Sequence, residues 1–152
     1  MIETDPATIE ADPPPEMPCT CARLRRTARR LTRAYDRALR PSGLRLTQYS
    51  VLANVARRSG LSVTDLAELL AMDRTTLTRN LRPLGARGWV RIAPGPDRRS
   101  RAVEITQAGR LVYQEALPLW RAAERAFRQR MGPDEAATLR QLLDTAIASA
   151  QP

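Results

Sequence analysis

The sequence contains no histidine and no lysine, so all 25 of its basic side chains are arginine. Without histidine, the usual general base of acid–base catalysis is missing. There is also no glycine-rich phosphate loop and no nucleophile-elbow motif. The carboxylates are scattered singly, without the repeated spacing of a catalytic pair. We therefore expect a protein that is not an enzyme and that uses no cofactor.

Cysteines and long apolar runs are also scarce. Cys19 and Cys21 are the only cysteines, and they form one short C-x-C sequence. Two cysteines give no disulfide framework, and tetrahedral zinc needs four ligands, which only two chains together could supply. We therefore expect no metal site. No run approaches about 18 apolar residues, and the N-terminus lacks the layout of a signal peptide. This favours a cytoplasmic protein that does not enter a membrane.

The charge is distributed unevenly along the 152 residues, whose formal net charge is +9. Residues 1–18 carry five acidic side chains, no arginine and five prolines, a composition that predicts a disordered acidic tail. The remaining chain carries all 25 arginines and 11 acidic residues, a net charge of +14. Charge of this sign favours binding to a polyanion such as nucleic acid.

Residues 62–84 have the pattern of two short helices joined by a tight turn. Ser62 and Asp65 have the spacing of a capping box, and three leucines follow at helical spacing. Asp73 is a strong N-cap for the second helix. The pattern predicts a helix-turn-helix.

The second of these helices has two different faces. Its leucines recur with the period of a helix and predict a buried side. The other side carries hydroxyls and guanidinium groups without a carboxylate, which suits base edges and phosphates in a DNA major groove. These candidate DNA-binding residues are Arg74, Thr75, Thr76, Thr78, Arg79 and Arg82.

A β-hairpin is predicted next, because residues 89–92 and 101–106 alternate as strands do. Gly85 and Gly88 are expected to end the preceding helix. The turn between the strands carries Asp97, Arg98 and Arg99. We expect the two arginines to enter a minor groove or to contact its backbone, with Asp97 pairing an arginine to shape the turn. Such a hairpin is a wing.

Long amphipathic helices are predicted on both sides of this unit, over residues 21–40 and 107–131, and a final one follows Gly132. Thr47 and Thr106 are the expected N-caps of the helices that they precede. We assign residues 19–46 and 107–150 to dimerisation helices and 47–106 to a winged-helix DNA-binding region, within a single domain over 19–152. The apolar faces of the end helices favour a two-fold homodimer.

These motifs together resemble the MarR family of bacterial winged-helix regulators. The resemblance covers roughly residues 21–150, and its most specific part is the wing signature D-x-R-x5-[LI]-T, formed by Asp97, Arg99, Ile105 and Thr106. It implies a mainly α-helical fold with a small hairpin wing. It also implies a homodimer on palindromic double-stranded DNA, usually a repressor that is released by a small ligand or by thiol oxidation.

The resemblance also suggests where an effector binds, because ligands of the family generally lie where the dimer helices meet the winged helix. Aromatic carboxylates and phenols are common among them. Tyr35, Tyr49 and Trp120 are candidate aromatic walls here, with Arg30 or Arg33 as a partner for an anion. The alternative is that these aromatic side chains only fill the core.

A thiol trigger is the second possibility. Cys21 is predicted at the start of a helix and is followed by arginines, which favours a reactive thiolate. It also matches the reactive cysteine of the hydroperoxide-sensing branch of the family, and Tyr35 matches a tyrosine that contacts the sulfur there. Arg25 and Leu46 stand where that branch carries further tyrosines. Cys19, predicted in the tail, would be a resolving thiol, and the alternative is that Cys21 is a spectator.

Two alternative functions would also fit parts of the sequence. Charge alone would also fit a non-specific nucleic-acid-binding protein, which would show little sequence preference. The C-x-C sequence would fit a thiol-exchange module, which would turn over a thiol substrate. Neither explains a helix-turn-helix followed by a wing.

Overall fold

The computed structural model describes residues 19–58, 60–95 and 101–150. The predicted fold class, mainly α-helical with a two-stranded antiparallel hairpin, is confirmed. The predicted acidic tail, residues 1–18, lies outside the described residues. The elements in chain order are α1 (Thr20–Leu39), a short 3-10 helix (Arg40–Ser42), α2 (Leu46–Arg57), α3 (Val63–Leu69), α4 (Arg74–Ala86), β1 (Val90–Pro94), β2 (Arg101–Ile105), α5 (Gln107–Met131) and α6 (Pro133–Ser149).

Three of the predicted helix caps are confirmed by hydrogen bonds. The backbone N–H of Asp65 donates to Ser62 Oγ at 3.0 Å, and the N–H of Ser62 donates to Asp65 Oδ2 at 3.2 Å, which completes the capping box of α3. The N–H of Thr76 donates to Asp73 Oδ1 at 2.8 Å at the start of α4. Thr106 Oγ1 accepts from the N–H of Gly109 at 3.1 Å at the start of α5. These side chains accept hydrogen bonds from backbone N–H groups that a helix N-terminus otherwise leaves unpaired.

The predicted cap of α2 is wrong. Thr47 lies inside the first turn, because the helix begins at Leu46 and its N-cap is Arg45. The backbone N–H of Leu46 donates to Asp36 Oδ1 of α1 at 2.7 Å. A carboxylate from a neighbouring helix therefore does what a capping hydroxyl would do, and the helix starts earlier than the local pattern indicates.

Gly85 does not end α4, contrary to the prediction. It lies within the helix, which continues to Ala86, and the chain turns at Gly88 with a φ of 68°. The first strand correspondingly begins at Val90 and reaches Pro94. Leu84, fully buried just before Gly85, holds this last turn of the helix against the core.

The hydrophobic core lies underneath α4 and anchors it. It contains leucines from the end of α1 and from α2, α3 and α4, together with Val103 of the hairpin and Ala116 of α5. α5 is one continuous helix that contains Pro118. The largest fully buried side chains are Leu39, Leu52, Leu66, Leu77, Leu84, Val51 and Val103.

The hairpin is fixed to the helix-turn-helix through backbone pairing. β1 and β2 are antiparallel, in a register that runs from the pair Val90–Ile105 to the pair Pro94–Arg101. On its other side, β2 receives the segment just before α3, because the N–H of Val103 donates to the carbonyl of Leu61 at 2.8 Å. The base of the hairpin therefore cannot move independently of α3.

The helices at the two ends of the chain leave apolar side chains uncovered. Leu142 and Ile147 of α6 are 61% and 66% exposed, and Leu24 of α1 is 40% exposed. Within the described part of the chain, no helix is both long enough and apolar enough to cross a membrane.

Candidate nucleic-acid interface

The outward face of α4 carries the candidate recognition residues. All six of them, Arg74, Thr75, Thr76, Thr78, Arg79 and Arg82, are exposed, whereas Leu77, Leu81 and Leu84 are buried. With 3.6 residues per turn, Thr75 and Arg79 point most directly away from the buried leucines. Arg74, Thr78 and Arg82 are rotated toward the hairpin.

Two of the threonine hydroxyls are already engaged within the helix. Thr76 Oγ1 donates to Asp73 Oδ2 at 2.6 Å, and Thr78 Oγ1 donates to the carbonyl of Arg74 at 2.7 Å. These hydroxyls can still accept hydrogen bonds but have used their protons. Thr75 and Arg79 are therefore the side chains best placed to donate to base edges, a distinction that the sequence pattern did not make.

Asp73 supports this helix electrostatically. Hydrogen bonds from the hydroxyl and the N–H of Thr76 hold the pKa of its carboxyl below the usual range. The carboxylate also lies at the positive end of the α4 dipole, where negative charge is favourable. The predicted cap is thus ionised at neutral pH and fixes the first turn of the recognition helix.

A groove of about 760 Å³ separates α4 from the hairpin. Arg74, Thr78 and Arg82 line one side of it, and Arg101 of β2 lines the other. Leu81, Val90 and Ile92 contribute apolar surface to it, and residues 62–64 also belong to its lining. The sequence pattern predicted the arginines of α4 but missed Arg101, because only the register of the hairpin brings the first residue of β2 to this groove.

The predicted wing-tip residues Asp97, Arg98 and Arg99 lie outside the described residues, so their DNA contacts stay predictions. The stem of the hairpin is described. It is braced by an ion pair between Arg91 Nη2 and Glu104 Oε2 at 2.7 Å. Pro94 and Arg101 form the last pair of the described register.

The corner between α4 and α5 is closely packed. Thr106 Oγ1 donates to the carbonyl of Gly88 at 2.6 Å. Gly109 is buried against this corner, and a Cβ placed on it would lie only 2.0 Å from the carbonyl oxygen of Trp89. The recognition unit therefore has a fixed connection to the long helix α5.

Two of the four predicted ligand-binding residues come together. The ring of Tyr49 stacks on Trp120 at a centroid distance of 5.6 Å, and Tyr113 joins them with its centroid 5.8 Å from that of Tyr49. Tyr113 was missed, although its spacing of seven residues from Trp120 places both on one face of α5. The cluster lies between α2 and α5.

The hydroxyl of Tyr49 is unusual within this cluster. The residue is only 4% exposed, and its hydroxyl makes no hydrogen bond of regular geometry among the described residues, although the Tyr113 hydroxyl is near enough to interact with it. Burial and the neighbouring Tyr113 raise its pKa to about 12, against the opposing effect of Arg57 and Arg121. A buried polar group without a partner is rare and favours binding of a ligand or water.

Tyr35 and Arg30 lie outside this cluster, so their part in ligand binding stays a prediction. The hydroxyl of Tyr35 makes a short hydrogen bond to Glu124 of α5, which in turn faces Arg140 of α6 at 3.8 Å. Burial and this carboxylate raise the pKa of Tyr35 far above its usual value. Arg30 is exposed on α1. The contact between Tyr35 and Glu124 connects α1 to α5, and the contact between Glu124 and Arg140 connects α5 to α6.

The cysteines lie at the start of α1. Cys19 was predicted in the tail but is the N-cap, and its Sγ accepts a hydrogen bond from the N–H of Ala22 at 3.4 Å. Cys21 lies in the first turn, and both thiols are exposed. Within the described residues, no group of three or more potential metal ligands is present.

The fold and this surface define a winged helix-turn-helix protein of the DNA-binding type. A model of the MarR family matches residues 42–100. The transcriptional regulator MosR of M. tuberculosis, solved in complex with DNA, is 40% identical with a TM-score of 0.75, over 88% of this chain and 99% of that chain. The transcriptional repressor CouR, bound to a 23-mer DNA duplex, is 26% identical with a TM-score of 0.78, over 85% of this chain and 92% of that chain.

The transcriptional activatory protein BadR of Rhodopseudomonas palustris is 36% identical over 96 residues, which cover 60% of this chain. The match spans only 55% of the length of BadR. The chain belongs to the MarR family of transcriptional regulators, whose members are DNA-binding proteins and not enzymes.

Proposed function

We propose that this protein is a homodimeric regulator that binds a palindromic operator in double-stranded DNA and represses transcription until a small effector releases it. The observation that carries this proposal is the exposed face of α4. Thr75 and Arg79 project from a helix whose other face is buried in the core. Hydroxyl and guanidinium donors on a rigid helix suit direct readout in the major groove.

The apolar surfaces of the end helices support the homodimer. Leu24, Leu142 and Ile147 are exposed in the single chain, so their side chains contribute little to its hydrophobic core. A two-fold interface would cover them and would present two copies of α4 to half-sites about one helical turn apart. In this proposal residues 19–46 and 107–150 dimerise and residues 47–106 read DNA.

The direction of regulation that we propose is repression. The relatives include both a protein named as a repressor and one named as an activator. We favour repression because occupancy of an operator by a dimer is by itself enough to block a promoter.

The buried hydroxyl of Tyr49 supports effector binding. It lies in an aromatic cluster between α2, which packs against α4, and the long helix α5. A phenol or an aromatic carboxylate could accept a hydrogen bond from this hydroxyl and stack on Trp120, while Arg57 and Arg121 lie close enough to influence charge there. Occupation of this position would alter the spacing between the DNA-reading unit and the end helices.

The test is selection of a random pool of duplexes by the full chain, followed by sedimentation of the protein alone. We expect enrichment of a palindrome with half-sites about ten base pairs apart, and a dimer in solution. A screen of aromatic acids and phenols should then find compounds that release the DNA. A monomer without sequence preference would leave only charge-driven nucleic-acid binding and would refute the proposal.

A thiol-based sensor is the second candidate trigger, with Cys21 as the sensing thiol and Cys19 as the resolving thiol, since both lie exposed at the start of α1. Cys19 Sγ accepts a hydrogen bond from the N–H of Ala22 at 3.4 Å, and exposure leaves both thiols accessible to an oxidant. If oxidation is the trigger, cumene hydroperoxide should release operator DNA from the protein. The variants Cys19→Ser and Cys21→Ser would then identify the responsible sulfur, and an unchanged complex after peroxide treatment would exclude this trigger.

A further inference from the structure

We propose that the acidic segment of this chain, residues 1–18, docks in the groove between α4 and the hairpin and competes there with DNA. The groove is the one lined by Arg74, Arg82 and Arg101. The inference rests on the proposed function, because it regulates the surface that this function needs for DNA. The occupant belongs to the protein itself, so docking is an autoinhibitory contact.

The acidic segment contains an internal repeat. Residues 2–6 read Ile-Glu-Thr-Asp-Pro and residues 9–13 read Ile-Glu-Ala-Asp-Pro, so the pattern I-E-x-D-P occurs twice at an interval of seven residues. The two repeats carry four of the five acidic residues of the segment, which has no arginine. A solvated acidic tail needs charge and proline but no isoleucine at the same place in each repeat. The repeat therefore favours a short recognition motif.

The charge of the groove is complementary to that of the repeat. Arg74 and Arg82 line the groove from α4, and Arg101 lines it from the first position of β2. All three arginines are exposed, and the described residues that line the groove include no carboxylate. Guanidinium groups bind carboxylates through paired hydrogen bonds, and clusters of arginine recognise acidic peptides. The two carboxylates of one repeat therefore have cationic partners in the groove.

The apolar surface of the groove matches the isoleucine of the repeat. Ile92 is 45% exposed although it lies in the middle of a strand, and it lines the groove together with Leu81 and Val90. In an extended peptide successive side chains point to opposite faces, so Glu and Asp two positions apart share one face and Ile lies on the other. A repeat bound in this way would direct its carboxylates to the arginines of α4 and its isoleucine to Ile92.

The acidic segment is long enough to reach the groove. Pro6, the last residue of the first repeat, precedes Thr20 at the start of α1 by 14 positions. Fourteen extended residues span about 46–50 Å. A compact domain of about 130 residues has a radius of gyration of about 14 Å and hence a diameter of about 36 Å, which is less than this reach. Because the segment is tethered, its effective concentration is about millimolar, and a weak contact is enough to occupy the groove.

The arginines of α1 are the competing site for the acidic segment. They lie along one exposed helix, close to the point where the segment joins it. The surface beside them includes Leu24, which is 40% exposed and which the proposed homodimer would cover. A single helix meets the segment from one direction only, whereas the groove combines arginines from two elements with apolar side chains. We therefore assign the segment to the groove.

Docking should lower the affinity for all DNA sequences by the same factor. The segment must leave the groove before DNA can enter it, so the apparent Kd equals the intrinsic Kd divided by the fraction of protein whose groove is open. The ratio of operator affinity to random-duplex affinity should stay the same. Because the charges involved are exposed, salt should weaken docking.

The test compares DNA binding of the full-length wild type with that of three full-length variants. The segment variant removes four carboxylates from the repeats through Glu3→Gln, Asp5→Asn, Glu10→Gln and Asp12→Asn. The matched control removes four exposed carboxylates that do not line the groove, through Glu68→Gln, Glu115→Gln, Asp134→Asn and Asp144→Asn. The third variant, Ile2→Ser with Ile9→Ser, keeps every charge.

We expect the segment variant to bind a random duplex more tightly than the matched control does. Each exposed ion pair shifts an equilibrium by about 1.4- to 5-fold, so the loss of two pairs corresponds to about 2- to 30-fold. The double isoleucine variant should also bind more tightly than the wild type. Both gains should be the same on the selected operator and should disappear at about 0.5 M salt. Equal affinities of the segment variant and the matched control would overturn the inference, because net charge alone would then explain the change.

Amide NMR spectra without DNA locate the docked segment directly. Between the wild type and the segment variant, signals should shift in residues 74–82 of α4, in residues 90–92 of β1 and at Arg101. The matched control should leave the groove signals where they are in the wild type. Shifts confined to the first turns of α1 would place the segment on that helix and overturn the inference, and so would the absence of any shift in the groove.

The failure of this inference can be distinguished from the failure of the proposed function. If the wild type selects a palindrome but the segment variant and the matched control bind it alike, only the docking assignment is wrong. If the wild type selects no palindrome, the proposed regulator is refuted. The amide spectra then still decide whether the acidic segment occupies the groove.

Discussion

The guanidinium of Arg87 donates a hydrogen bond of 3.1 Å from Nη1 to the carbonyl oxygen of Gly43, which is 44 residues away in the chain. Arg87 is the C-cap of α4, and Gly43 ends the 3-10 helix after α1 in a left-handed conformation with a φ of 71°. The guanidinium carbon also lies 4.8 Å from the centroid of Trp89. One side chain therefore connects the recognition helix to the end of α1.

We expect Arg87→Ala to destabilise the protein by about 1–2 kcal/mol, since an exposed cation–π contact is worth about 0.5–1 kcal/mol and a hydrogen bond about 0.5–1.5 kcal/mol. DNA affinity should fall for all sequences alike, because the end of α4 is held less firmly. Urea denaturation and binding titrations measure the two effects. Arg87→Lys, which keeps the charge but not the planar stacking, should lie between the wild type and alanine. If Arg87→Ala unfolds and binds as the wild type does, the connection does not position α4.

The parts of the fold that could be predicted depend on neighbours in sequence. The Ser62–Asp65 box and the Asp73 cap use a side chain and an amide three residues apart, so the local pattern determines them. The buried side of α4 follows from the periodicity of its leucines. The same locality allowed the sequence to place the outward face of α4, although the DNA contacts of that face stay predictions.

The parts that could not be predicted depend on distant residues. α2 begins at Leu46 because Asp36 of another helix receives its N–H. α4 continues through Gly85 because burial of Leu84 outweighs the low helix propensity of one glycine, about 1 kcal/mol. Arg101 and Tyr113 reach their positions only through the hairpin register and the packing of α5 on α2. No local pattern contains these relationships.

Gly109→Ala should be the more damaging of two glycine substitutions. The new Cβ would lie 2.0 Å from the carbonyl oxygen of Trp89 and 2.9 Å from Ile105 Cγ1, so the start of α5 would have to move away from the corner. Overpacking of this kind typically costs about 1–3 kcal/mol. Thermal or urea unfolding measures the loss.

The matched control is Gly85→Ala in α4. Nothing lies within 4 Å of the position that its Cβ would take, and the residue is helical. Alanine should therefore stabilise the helix by about 0.5–1 kcal/mol. Equal effects of the two substitutions would show that the contact between Gly109 and Trp89 does not hold the corner.

Stability at low pH should depend on Asp73. Because hydrogen bonds from Thr76 lower its pKa in the folded protein, the ionised cap stabilises the fold above the pKa of the unfolded chain. This contribution should disappear as the pH falls through the lowered pKa. Asp73→Asn retains a capping oxygen but does not titrate. The difference in unfolding midpoint between the two proteins should be constant from about pH 5 to 7 and should change below about pH 4. A difference that does not depend on pH would contradict the assignment.

Tyr49→Phe should stabilise the protein alone and weaken its response to an effector. A buried hydroxyl without a partner costs about 1–3 kcal/mol, so its removal should raise the free energy of unfolding by about 1 kcal/mol while the stacking on Trp120 is kept. Tyr35→Phe is the control, because the hydroxyl of Tyr35 donates to Glu124 outside this cluster and its removal should lower the free energy of unfolding. If Tyr49→Phe is less stable than the wild type, the hydroxyl has a partner, such as a bound water.

Arg79→Ala should change which sequences are recognised, whereas Arg82→Ala should not. Arg79 points away from the buried leucines, and a bidentate contact from arginine to a guanine discriminates by about 1–3 kcal/mol. Arg82 lines the groove on the hairpin side, where it would meet a phosphate. Selection of random duplexes with each variant compares the two positions directly. Relaxed preference at one base pair for Arg79→Ala, with uniform weakening for Arg82→Ala, would show that the rotation of each side chain around α4 decides its role. If both variants lower the affinity for all DNA sequences equally, both arginines contact the backbone. Thr75 and the wing would then be the elements that recognise bases.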